Sequence, residues 1–456
     1  MRNVTNKFIG DFEKNKEKEN EIKPFVLQYF KILSSFLKGV NKLNKNDPNE
    51  IKLFEEILDK IFNIINIDNL ENFEDNDELI RTMEDYVEAV ECINEKSIRI
   101  LKHIYPKIKN EDTFSNSVFF FLSTFMKFLP KSNNLSENIK MELIEEIIKI
   151  IKLSFTYSDE IYDQSIKNVL LLTLKLFNIC INQISFNTFK ELLLLSLNSY
   201  APFSKDDVVS GEISEKAVIN QLCLCNIAIG FIFRPVESYK IIFEQNNNSN
   251  TDSQEKNKNE NNTMISQNNN PSLNLFINLL FTSICINNSC YIILLNKCII
   301  LGLCSLYKED YCRQKLNLNP DIYCLLLQTF IKLVDKHKKE QIDHLNKLMK
   351  KEINCNFIEE QENEEEEDEE DEDMEEIKDS INNILNENEN IKNANEYKFF
   401  SETINSIKNN DNKIFEIINQ GFKGIIDELL LLRTININYK GKQFEVPRKT
   451  VKIIRK

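Results

Sequence analysis

Ser136-Glu-Asn-Ile-Lys-Met-Glu-Leu-Ile-Glu-Glu-Ile-Ile-Lys-Ile-Ile-Lys-Leu-Ser-Phe155 reads as one complete amphipathic helix. Ser136 is placed to cap its amino end. Met141, Leu143, Ile144, Ile147, Ile148 and Ile151 recur mostly three and four positions apart, so they share one face. The same grammar repeats along the chain. Toward the amino end it predicts helices over Pro24–Leu43, Ile51–Ile67, Leu79–Ile93, Ser97–Ile108 and a Phe-rich Thr113–Leu129 stopped by Pro130. Toward the carboxyl end it predicts Asp159–Asn182, Phe186–Tyr200 and Ile213–Phe233, the last ended by Arg234 and Pro235. Leu273–Ile286, Tyr291–Tyr307, Pro320–Lys350, Glu396–Asn409 and Lys413–Leu432 follow.

Composition agrees with that reading. Gly and Pro number only 8 and 9 in 456 residues, while straight-chain residues abound, which favours helix over strand. No stretch stands out as alternating strands joined by tight turns, so the expected fold class is all-α. Helix pairs recur at an irregular spacing near ~40 residues, the period of HEAT and armadillo repeats. Single amphipathic helices of this kind need stacked neighbours to bury their faces. The expectation is therefore an α-solenoid of HEAT-like helical repeats, with a compact bundle as the alternative.

Charge divides the chain unevenly. The formal net charge is −15. From Glu359 to Glu376 every residue except Gln361, Asn363 and Met374 is Asp or Glu, and none is basic. The remainder is close to neutral. Such density resists burial because neighbouring carboxylates repel and stay hydrated. It reads as a solubilising loop or as an electrostatic catcher for a basic protein. Its centre, Glu364, Glu365, Glu366, Glu367, Asp368, Glu369, Glu370, Asp371, Glu372 and Asp373, forms the candidate cargo-binding set. The expected organisation is HEAT-like repeats at 1–244, a disordered Asn-rich insertion at 245–271, and further repeats at 272–350. An acidic disordered loop at 351–395, a helical pair at 396–432 and a basic tail at 433–456 complete it.

Several function classes lose support. No glycine-rich phosphate loop or nucleophile elbow is legible, so no enzyme and no cofactor are expected. His337 and His344 share a helix face and read as exposed; with His103 they lack a local carboxylate arrangement for acid–base work. The eleven cysteines lack the paired knuckle spacing of zinc sites, so no metal is expected and buried free thiols in a reducing compartment are. Met1–Lys18 is charged and does not read as a signal peptide. Asn288–Tyr307, the most apolar stretch, is broken by Asn296 and Lys297 and reads as a buried helix, so no membrane insertion is expected. The basic tail has only Tyr439 and Phe444 as interleaved aromatics, which argues against direct nucleic-acid binding.

Three stretches together resemble the carboxyl-terminal region of importin-β-family karyopherins of the importin seven/eight type. Lys297-Cys298-Ile299-Ile300-Leu301-Gly302-Leu303-Cys304-Ser305-Leu306 looks like that family's late-solenoid helix. An acidic tract follows the last long helix. Glu396-Tyr397-Lys398-Phe399-Phe400 then opens a helix, followed by Phe415-Glu416-Ile417-Ile418-Asn419-Gln420-Gly421-Phe422. Phe444-Glu445-Val446-Pro447 is similar to the family's Phe-x-x-Pro near its terminus, whereas Arg448–Lys456 departs from it in being basic. Family members are longer and carry their main Ran-binding surface in amino-terminal repeats, so the resemblance implies a receptor or its carboxyl-terminal portion. It further implies basic protein cargo such as ribosomal proteins or histones, and release by GTP-bound Ran GTPase. Nucleoporins and another importin are implied as further partners, with movement between cytoplasm and nucleus through the nuclear pore.

Overall fold

The computed structural model describes residues 31, 34–35, 76–111, 115–157, 164–202, 213–244, 270–285, 293–355, 379–430, 434–439 and 442–447. The expected helices at Pro24–Leu43 and Ile51–Ile67 lie almost wholly outside these. So do the Asn-rich insertion up to Asn269, the acidic run and the tail beyond Pro447. The described residues are overwhelmingly helical, as an all-α fold requires, and the chain divides into two units, Met1–Ile179 and Cys180–Lys456.

The first unit contains α1 (Asn76–Val90), α2 (Glu95–Glu111), α3 (Asn116–Phe128), α4 (Glu137–Tyr157) and most of α5 (Gln164–Cys180). Local chemistry sets the starts. Asn94 accepts from the Ser97 amide at 3.0 Å while Ser97 Oγ accepts from the Asn94 amide at 3.0 Å, a reciprocal cap for α2. Ser136 accepts from the Ile139 amide at the head of α4, at 3.4 Å. Of the stripe read from α4, Leu143, Ile144, Ile147, Ile148 and Ile151 are buried.

Side-chain pairs fix how these helices run. Ser115 donates to Asp77, Arg81 to Ser117 and Thr124 to Glu84, at sequence separations of 38, 36 and 40. Contacts that advance together along both helices make α1 and α3 parallel neighbours. Asn116–Asn168 and Ser123–Lys175 repeat the pattern between α3 and α5, both at a separation of 52. α2 packs against α4 in the same alternate-helix manner.

The second unit contains α6 (Phe186–Asn198), α7 (Ile213–Phe233), α8 (Pro235–Phe243), α9 (Pro271–Cys285), α10 (Ile293–Lys308), α11 (Asp310–Asn317) and α12 (Pro320–Cys355). α13 (Glu396–Asn410) and α14 (Asn412–Leu430) are the expected carboxyl-terminal helical pair. α7 and α10 meet most closely where a Cβ on Gly302 would lie 2.6 Å from the Ala228 carbonyl oxygen and 2.7 Å from Ala228 Cβ. Gly302 is what permits that approach. α12 has 36 residues, about 54 Å at the helical rise.

Several expectations need correction. Pro235 does not merely end α7: it occupies the first turn of α8, where its missing N–H costs nothing. The acidic disordered loop expected over 351–395 is too broad. α12 continues to Cys355, residues 379–386 are helical, and Glu389–Lys392 forms a further turn. Ile381, Ile384, Leu385 and Ile391 are buried there; they make a helical stripe despite the surrounding Asn and Glu. The basic tail is also partly ordered. β1 (Thr434–Tyr439) pairs antiparallel with β2 (Lys442–Pro447), Thr434 opposite Pro447 and Tyr439 opposite Lys442. Alternating Ile435, Ile437 and Tyr439 before a two-residue Lys440-Gly441 link carried that signal.

Two helical stretches, Ser165–Gln183 and Lys216–Phe233, have the length and apolarity to cross a membrane. Within the protein 78% and 83% of them is buried, the placement of core helices.

Candidate functional site

The candidate cargo-binding carboxylates Glu364–Asp373 lie outside the described residues. What the structure places is their frame. The segment leaves from the end of α12 and re-enters through the helix at 379–386, and both flanks belong to the same unit.

The frame is locked by a buried polar node at the head of α13. Asn395 caps that helix, accepting from the Lys398 amide at 2.9 Å. The next residue, Glu396, is only 1% exposed. Its Oε1 lies 3.1 Å from His337 Nε2 and accepts from Gln341 Nε2 at 3.2 Å. Its Oε2 lies 4.0 Å from Lys297 Nζ, and that ammonium donates to the Lys392 carbonyl at 3.1 Å. Tyr397 donates its hydroxyl to Gln341 Oε1 at 2.8 Å and stacks on the His337 ring at 6.1 Å. Three helices, α10, α12 and α13, thus meet at one carboxylate. Burial alone would raise the Glu396 carboxyl; the His337 hydrogen bond and the charge of His337 and Lys297 outweigh it and hold the group below its ordinary range.

This corrects the sequence reading of His337. It is fully buried, not exposed on a helix face. Lys336, Lys338 and Lys339 beside it made that stretch look like a solvated face. The missed signal was His337 and Gln341 four apart, a polar pair on the face α12 turns inward. The side chains of His103 and His344 lie outside the described residues.

Around the node runs a seam of ion pairs. Lys308 meets Glu402 at 2.6 Å, Arg313 meets Asp411 at 3.4 Å and Lys338 meets Glu428 at 3.2 Å. Lys308 also sits over the Phe399 ring and Lys332 over Phe422, at 4.5 and 5.8 Å. Lys332–Phe422 and Lys338–Glu428 share one sequence interval, which makes α12 and α14 parallel. Lys297–Glu396 and the Cys304–Thr403 hydrogen bond do the same for α10 and α13.

Burial holds several of the described thiols in the neutral form. Cys180, Cys223, Cys225, Cys298, Cys304 and Cys312 are buried, as expected, while Cys92 and Cys324 are part-exposed. Burial pushes Cys180, Cys304 and Cys312 up to about 12 and holds Cys223 and Cys225 well above the ordinary thiol range, away from the thiolate form that reacts or binds metal. Among the described residues no three His, Cys, Asp or Glu side chains group as a metal site.

The first and third stretches of the family resemblance, 297–306 and 396–400, are therefore not separate features. They are adjacent parallel helices joined through Lys297 and Glu396. No protein family, no curated protein and no solved structure matches the chain.

Proposed function

We propose that the chain is a nuclear transport receptor of the importin-β family, or its carboxyl-terminal portion, built as a HEAT-like α-solenoid and carrying basic proteins such as ribosomal proteins or histones. The observation that carries the reading is the joining of Lys297 in α10 to Glu396 in α13, with the acidic run interposed between α12 and that joint. Alternate helices that run parallel, α1 with α3 at separations of 36 to 40 residues and α3 with α5 at 52, support the solenoid. Fifteen carboxylates within Glu359–Glu376 attract a cationic surface from a distance and weaken with salt. That suits a carrier that must release its load. Release by GTP-bound Ran is competition for binding and requires no chemistry from the receptor; nucleoporins and another importin are the further partners of this reading.

The test is binding of a labelled basic ribosomal protein to the purified chain, with and without GTP-bound Ran. A carrier loses its load to GTP-bound Ran and not to the GDP form. Binding indifferent to nucleotide would replace the receptor with a non-shuttling acidic chaperone or scaffold for basic proteins.

A further inference from the structure

Two buried carboxyl groups lie on or against the same stretch of α12 and are held differently. Glu396 meets His337, Gln341 and Lys297. Glu340, on α12 itself, is 6% exposed. Its Oε1 lies 3.5 Å from Nζ of Lys336, one turn earlier. Its Oε2 is buried with no hydrogen-bond partner among the described residues. A carboxylate held in this way costs free energy that a neutral side chain of the same shape would largely avoid. A buried acceptor without a partner therefore calls for an explanation.

Lys336 has a second acceptor. Its Nζ donates to the Ser283 carbonyl at 2.8 Å. Ser283 lies in the last turn of α9, where carbonyls lack partners within the helix and a cation is favourable. One ammonium thus stands between the end of α9 and the Glu340 carboxyl, nearer the former. Among the described residues, the charges that act on Glu340 are Lys336, which favours its ionised form, and Asp343, which opposes it. α9 contains no charged residue. Of the other helices that meet α12, α10 and α13 direct Lys297 and Glu396 at each other, α11 directs Arg313 at Asp310 and Asp411, and α14 directs Glu428 at Lys338. Burial outweighs Lys336 and pushes the Glu340 carboxyl up to about 7.

We propose that Lys336 and Glu340 form a proton-operated clasp on the end of α9. With Glu340 neutral, the ammonium belongs to the Ser283 carbonyl and the last turn of α9 is fastened to α12. When Glu340 loses its proton, the carboxylate draws the ammonium toward itself and needs water that the closed packing excludes. The last turn of α9 then loosens. Glu340 binds its proton more tightly with the clasp closed than when solvated, so a bound proton favours closure. Closure weakens as pH rises from the solvated value of about 4.3 toward neutrality, and levels off once Glu340 is ionised in both forms. The quantity regulated is the attachment of one helix end, and the switch works just below neutral pH.

The test is hydrogen–deuterium exchange of the full chain, corrected for the intrinsic pH dependence of exchange. In the wild type, protection of the amides of residues 282–285 falls several-fold from about pH 5 to about pH 7 and is flat above that. Glu340→Gln, neutral at every pH, keeps the high protection throughout. Lys336→Met has low protection already at about pH 5, because the Ser283 carbonyl has lost its donor. Amides of residues 223–225, in the middle of α7, are the internal reference and keep their protection over the same range. Wild-type protection at 282–285 that does not change with pH would overturn the clasp. A change that persists in Glu340→Gln, or that α7 shares equally, would also overturn it. So would full protection in Lys336→Met at about pH 5.

Discussion

Tyr307 and Tyr397 are both buried tyrosines, and their hydroxyls have opposite fates. The Tyr307 hydroxyl has no hydrogen-bond partner among the described residues, while that of Tyr397 is held by Gln341. A stranded buried hydroxyl costs free energy, and a satisfied one whose partner is then stranded costs more to remove. Tyr307→Phe should leave stability unchanged or raise it by about 1 kcal/mol, and Tyr397→Phe should lower it by about 1–3 kcal/mol, both read from urea midpoints. The glycines divide in the same way. Gly302 faces Ala228 with no room for a methyl group, whereas a methyl group on Gly421 or Gly424 would meet nothing within 4 Å among the described residues. Gly302→Ala should destabilise by about 1–3 kcal/mol through overpacking. Gly421→Ala and Gly424→Ala should each stabilise by about 0.5–1 kcal/mol through helix propensity. Both comparisons are settled by equilibrium unfolding of the single variants.

At the scale of elements, the node ties the stability of α13 to pH. The folded state holds the Glu396 carboxyl below its ordinary range. Its contribution is therefore complete above the unfolded-state value of about 4.3 and is lost as pH falls through the folded value. The stability gap between wild type and Glu396→Gln should narrow as the pH falls below the unfolded-state value of about 4.3. A gap that stayed constant over that range would mean the ionised carboxylate contributes nothing. Glu340, on the same helix as His337, goes the other way: burial pushes its carboxyl up to about 7. Glu340→Gln should therefore gain on wild type as pH rises past the unfolded-state value of about 4.3 toward neutrality, measured in the same unfolding series.

These elements show how far the sequence carries. Long apolar stripes predicted helices well: Ile213–Phe233 appears as read, and Ser136–Phe155 shifts by one residue at its start and two at its end. Short elements were missed where one residue could be read two ways. Pro235 both follows one helix and begins another, and the sparse Ile381, Ile384 and Leu385 were masked by their acidic surroundings. The node was half visible. Glu396 and Tyr397 stood out through the family resemblance, but their partner His337 was misread, because the flanking lysines outweighed the one local signal, His337 and Gln341 four apart.

At the scale of the molecule, a largely helical chain carries an interposed segment in which charge is concentrated. The body outside Glu359–Glu376 is close to neutral, so attraction for a basic partner should reside almost wholly in that run. The most direct measurement is the affinity of a labelled basic ribosomal protein for the intact chain and for a chain lacking Glu359–Glu376, across a salt series. The account predicts that the deletion weakens binding at low salt by about tenfold or more and flattens the salt dependence. Equal affinities with equal salt slopes would contradict it, and would move the search for the cargo surface to the helical body.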